Sequence, residues 1–138
     1  KKTGSKEYFA QLKPTVTVTT SLPCSSKTPI TNAAKYNGSI VRTTRAAKAG
    51  DWIEYRFAEP LNCREIEIQT GHIHLRRCFL LNGYAEVSYD GKNFTRVADL
   101  FEGGAIIQPS AAVHAVRVQA TGRSDAENQV VIQSLKIK

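Results

Sequence analysis

Apolar residues in this 138-residue chain recur at every second position, the period of a strand with one buried face, rather than every third or fourth. Val16 and Val18 are interleaved with Thr15, Thr17 and Thr19, and Pro14 and Pro23 bound the run. Ile53, Tyr55 and Phe57 alternate with Trp52, Glu54 and Arg56 until Pro60. Ile66 and Ile68 stand opposite Glu65, Glu67 and Gln69 ahead of Gly71, and Val116, Val118 and Ala120 alternate with Arg117, Gln119 and Thr121. Val130, Ile132, Leu135 and Ile137 form a last apolar run whose phase slips near Gln133 and Ser134. A β-bulge produces such a slip. No long segment sustains the i, i+3, i+4, i+7 spacing of an amphipathic helix.

The most telling stretch is Glu86-Val87-Ser88-Tyr89-Asp90-Gly91-Lys92-Asn93-Phe94. Ala85, Val87 and Tyr89 alternate with polar residues, and Asp90-Gly91 supplies the backbone freedom of a tight hairpin turn before a second run with Phe94 and Val97. Three irregular connections are expected, at 20–50, 72–83 and 103–109; the first is long enough to be functional or to carry short elements of its own. The pattern predicts an all-β, antiparallel β-sandwich with a jelly-roll path. It also predicts one domain over residues 14–138, with residues 1–13 a polar linker or lead-in.

Composition changes this picture little. The formal charge of +7 favours anionic partners in general, but Lys and Arg are scattered rather than gathered into a basic arm, which reads as a solvated basic surface. No apolar run approaches the roughly 18 residues of a membrane span, and the first residues lack the apolar core of a secretory signal, which leaves the compartment open. Cys24, Cys63 and Cys78 cannot all pair within one chain and fit no zinc spacing. One bridge with a free thiol and three reduced, part-buried thiols both remain open. There is no nucleophile elbow, phosphate loop or metal-ligand triad, and Asp90 and Asp99 sit in turn or strand-end contexts, so no catalytic residues are expected.

Several of these segments resemble the coagulation factor 5/8 type C (discoidin) family. Asp51-Trp52-Ile53-Glu54-Tyr55-Arg56-Phe57 is similar to the family's Trp-containing strand, with apolar residues one, three and five positions after the Trp. The 86–94 stretch resembles its S-x-DG-x-x-aromatic hairpin, Ala115-Val116-Arg117-Val118 a strand near its end, and Ser134-Leu135-Lys136-Ile137 its closing strand. The four lie in the family's order over about residues 15–138. The resemblance implies a galactose-binding-like jelly roll. It also implies a non-catalytic module of the carbohydrate-binding family 32 type, most like those appended to bacterial hexosaminidase or chitobiase-type glycoside hydrolases.

Two departures bear on metal. Where the family often carries an Asp-Gly pair that helps hold a structural calcium, this chain reads Lys35-Tyr36-Asn37-Gly38, and Ser134 stands where a Glu is common. Calcium takes about six to eight oxygens with carboxylates supplying charge, so no metal and no cofactor are expected. The animal branch's terminal cysteine pair is also missing, which argues against a lipid-binding domain of the clotting-factor type.

A sugar site needs polar groups for the hydroxyls and an apolar face for the C–H surface. The segment Gly71-His72-Ile73-His74-Leu75-Arg76-Arg77 offers two imidazoles and two guanidinium groups. By the resemblance, Arg76 or Arg77 inherits a ligand-binding role, and the segment before the Trp strand contributes Arg42, Arg45 or Tyr36. The candidate carbohydrate-binding residues are therefore His72, His74, Arg76, Arg77, Tyr36 and Arg45. His114 and Trp52 read as packing residues. Phe79, Tyr84 and Phe101 read as core or edge residues, although the Leu100–Gly104 segment is placed to approach the same rim.

The expected function is that of a carbohydrate-binding accessory module for a terminal hexose or N-acetylhexosamine, monomeric and secreted, periplasmic or at the cell surface. Its expected partners are a glycan and a covalently linked hydrolase, with neither nucleic acid nor a membrane span. Two rivals stay open: a structural or protein-interaction sandwich without sugar binding, and polyanion binding through the basic surface.

Overall fold

The computed structural model describes residues 14–35, 39–72, 78–123 and 129–138. Among them run β1 (Val16–Thr20), a short 3-10 helix (Ile30–Ala34), β2 (Ile40–Arg42), β3 (Trp52–Leu61), β4 (Ile66–Gln69) and β5 (Gly83–Ser88). Then follow β6 (Thr95–Asp99), β7 (Gly104–Ile107), β8 (Val113–Ala120), β9 (Val131–Gln133) and β10 (Lys136–Ile137). All pairings are antiparallel. One layer is a five-stranded sheet in the order β1-β3-β8-β5-β6. The other combines the β10-β4-β7 and β2-β9 ladders, which meet where Thr70 bridges Ile132. The terminal run is two strands rather than one bulged strand: near Gln133 and Ser134 the chain leaves β9, paired with β2, and then enters β10, paired with β4.

The alternating aliphatics meet between the layers. Ile53, Tyr55, Val87, Val116 and Val118 from the larger sheet are fully buried against Ile66, Ile68, Val41 and Ile132 from the smaller. Each such aliphatic contributes roughly 1.5–3 kcal/mol. Tyr55 also crosses the core, its hydroxyl donating to the Gln133 carbonyl at 2.7 Å.

The 20–50 segment carries short elements of its own, the 3-10 helix and β2, one of the two outcomes its length allowed. Four other expectations need correction. The 103–109 connection contains the edge strand β7. The β3 run continues past Pro60 to Leu61, with a register shift after Arg56. The β5–β6 hairpin closes through a longer loop than a two-residue turn, because the Asp90 carboxylate accepts from the Lys92 and Asn93 amides and organises it. Nor is β5 one-sided, since Ala85, Glu86, Val87 and Ser88 are all buried while Tyr89 is exposed. Arg117 explains this: it pairs with Glu86 and stacks over the Phe94 ring at 3.8 Å, roofing the strand's outer face.

Cys24, Cys63 and Cys78 are free and part-buried, and burial pushes the Cys24 and Cys63 thiols up. Such thiols pack as small apolar groups.

Candidate functional site

β4 and β7 run side by side, with Gln69 opposite Gly104, and the chain reaches β7 from β6 through a very short hairpin. The Phe101 amide donates to the Gly104 carbonyl at 2.8 Å, and the Gly104 amide returns a bond to Phe101 at 3.0 Å. Between them Glu102 and Gly103 take φ of 49° and 78°. Two successive positive φ values make this a type I′ turn, the hand that matches strand twist. Glycine at 103 is obligatory on space as well, since a β-carbon there would stand 2.6 Å from Thr70 Oγ1.

Two β4-end residues clamp this turn. Thr70 donates to the Gly103 carbonyl from both its amide (2.8 Å) and its hydroxyl (2.7 Å), and that hydroxyl accepts from the Leu80 amide. The Gln69 carboxamide donates to the Glu102 carbonyl at 3.0 Å. The result is a fixed pedestal on which the Phe101 side chain stands 78 % exposed. A large aromatic ring left this open on a hydrogen-bonded turn is unusual for a packing residue.

Phe101 walls an open cleft of about 540 Å³, within the range of small-ligand sites. His72, Phe79, Glu102, Gln69, Lys136, Glu67 and Gln133 also line it. Gly71, at φ 73°, lets the Phe79 ring lie directly on the backbone. Gln133 donates from its carboxamide to the Gly71 carbonyl, tying the terminal strand to this end of β4. No salt bridge among the described residues engages Glu67, Glu102 or Lys136, so the cleft presents charge of both signs to solvent. Amide, imidazole, carboxylate and ammonium groups beside an apolar ring are the complement a sugar requires.

Of the six residues singled out from sequence, His72 lies in this cleft. Arg45 does not line it. Its guanidinium grips Asp51 through two nitrogens, at 2.7 and 3.1 Å, and also reaches the Ala46 carbonyl. Asp51 is buried, accepts further bonds from Ser21 and the Lys48 amide, and is held well below the usual carboxylate range, at about 2, chiefly by its hydrogen bonds from Arg45. This pair closes the 45–51 loop onto the start of β3, a structural task. Tyr36, His74, Arg76 and Arg77 lie outside the described residues, as does the 1–13 lead-in.

Phe101, expected at the core or edge on a segment placed to approach the rim, stands largely exposed. Phe-Glu-Gly-Gly at the end of a strand carried the signal, since Glu102-Gly103 occupies the two turn positions that demand positive φ. Among the described residues the two carboxyls with strongly lowered pKa, Asp51 and Asp90, both serve loop geometry and neither lines the cleft. Among the described residues no three His, Cys, Asp or Glu side chains gather as metal ligands.

No protein-family model matches the sequence, and no curated protein does. Solved structures do share the fold. Chitosan-binding module 1 of a chitosanase/glucanase from Paenibacillus sp. IK-5 superposes with a TM-score of 0.69 at 15% identity, over 92% of this chain and 97% of that one. Module 2 of the same enzyme, solved with chitotriose, gives 0.67 at 16% identity over 91% and 98%. The family 32 carbohydrate-binding module of NanJ from C. perfringens, solved with galactose, gives 0.66 at 12% identity over 88% and 92%. The protein thus has the β-sandwich fold of these modules, as the resemblance in its sequence implied.

Proposed function

We propose that the cleft beside Phe101 is a sugar-binding site, and that this domain, residues 14–138, is a non-catalytic carbohydrate-binding module. The observation that carries this reading is the Phe101 ring, 78 % exposed and fixed by a hydrogen-bonded turn over a cleft lined with polar side chains. Aromatic faces pack against sugar C–H surfaces, and flanking amides and charges replace the water lost by the hydroxyls. The fold shared with galactose- and chitotriose-bound modules supports the same reading.

The ligand is a terminal hexose or N-acetylhexosamine of a glycan. His72 contributes from the described part of the site, and His74, Arg76, Arg77 and Tyr36 are its proposed partners. A shallow open site gives weak affinity for one sugar unit. The domain's use is then to hold a covalently linked, exported glycoside hydrolase near its substrate by raising effective concentration.

The test is calorimetric titration of the domain with galactose, N-acetylgalactosamine and N-acetylglucosamine. Binding in the millimolar range that is lost in Phe101→Ala and weakened in His72→Ala is the expected result. Absence of binding to every sugar at tens of millimolar overturns the reading, as does glycoside hydrolysis by the isolated domain. Polyanion binding is less well supported, because the cleft itself carries Glu67 and Glu102. It would show as affinity that falls steeply with salt, whereas neutral-sugar binding barely changes.

A further inference from the structure

Phe101 is a wall of two depressions, not one. A second groove of about 300 Å³, also bordered by Phe101, is lined by Ala98, Asp99, Ala105 and Ile106, with Ile106 itself 56 % exposed. Glu67, Gln69 and Phe101 line both this groove and the larger cleft. The register explains the continuity. Lys136 pairs with Glu67, and Glu67 with Ile106, so these three form a row across β10, β4 and β7 on one sheet face. Two strand spacings, about 9.5 Å, separate the ends of that row, about the length of a disaccharide. Gly104 keeps the passage open, since a β-carbon there would stand 2.4 Å from Gln69 Oε1 and displace the carboxamide that floors it.

The two sides differ in chemistry. The larger cleft presents His72, Glu102, Gln133 and Lys136, whereas the groove is mostly apolar. Resting on the sugar-binding reading above, we infer that the ligand is an oligosaccharide of at least two units that crosses Phe101. One unit sits among the polar groups. The next lies in the Ala98–Ile106 groove, with its C–H face or an N-acetyl methyl against Ile106. A lone monosaccharide fills only the first position. The groove adds apolar contact, so it contributes affinity without demanding a particular hydroxyl pattern.

The experiment is titration of the wild-type domain and of Ile106→Ser with N-acetylglucosamine and its di-, tri- and tetrasaccharides, and with galactose beside a β-linked N-acetylgalactosaminyl-galactose disaccharide. In the series that binds, wild-type affinity rises about tenfold or more from one unit to two or three. Ile106→Ser removes that gain while monosaccharide affinity and thermal stability stay unchanged. Equal affinity for mono- and oligosaccharides overturns the inference, and so does an Ile106→Ser loss that is the same for both lengths. Either result leaves the sugar-binding reading standing, because the monosaccharide still binds and still depends on Phe101. Failure of every sugar to bind removes both.

Discussion

The Phe79 ring occupies the place where a side chain on Gly71 would begin: a β-carbon there would stand 1.9 Å from the nearest ring atom. Gly71 also holds φ at 73°, where L side chains are strained. Gly71→Ala is therefore expected to destabilise the domain by about 2–3 kcal/mol, through backbone strain and overpacking together. Denaturant unfolding measures it. In a Phe79→Ala background the same substitution should cost clearly less, because the steric part has gone. Equal costs in both backgrounds would show that the ring is not the obstacle.

The Arg45–Asp51 pair contributes to the acid response. The folded carboxyl titrates at about 2 against an ordinary 3.8, so protons bind the unfolded chain more readily. Its stabilisation is present in full above about pH 4 and fades as pH falls through 2. The shift corresponds to about 2 kcal/mol for this buried group. Asp51→Asn should lose about that much at pH 7, while wild type and variant converge near pH 2. Melting curves across that range decide it, and a difference independent of pH would contradict the assignment.

Tyr55 links the two layers by a bond as well as by packing. It is fully buried, its hydroxyl donates to the Gln133 carbonyl, and burial pushes its phenol well above the ordinary tyrosine range. Tyr55→Phe keeps the ring and removes the bond, for an expected loss of about 1–2 kcal/mol. Gln133 lines the cleft, so the same variant should also weaken sugar binding modestly. Unchanged stability would mean that the carbonyl is satisfied without Tyr55.

Much of the fold was legible because burial writes a period of two into β1, β3, β4 and β8. β7 was not, because Gly103, Gly104 and Pro109 read as loop and Ile106 faces outward, so no alternation marks it. β2 is three residues long, too short to carry a period. His72, chosen for its position after β4, lines the cleft. Arg45 was chosen for its chemistry, but a guanidinium's availability depends on its neighbours, and Asp51 claims this one. The exposure of Phe101 is not legible in the sequence, because an apolar residue looks like core or edge until backbone geometry aims it outward.

That geometry is itself testable at Glu102, the one non-glycine residue at positive φ among the described residues. Asn tolerates the left-handed region better than Glu does, and Asn-Gly is the favoured pair for a type I′ turn. Glu102→Asn should therefore raise stability by roughly 0.5–1 kcal/mol, whereas the β-branched Glu102→Val should lower it by about 1–2 kcal/mol. Both substitutions remove the same carboxylate from the cleft, so a difference in sugar affinity between them reports the turn rather than the charge. If the turn holds Phe101 in place, the Asn variant binds at least as tightly as the Val variant and melts higher. The opposite stability order would mean that Glu102 does not occupy a left-handed conformation in solution.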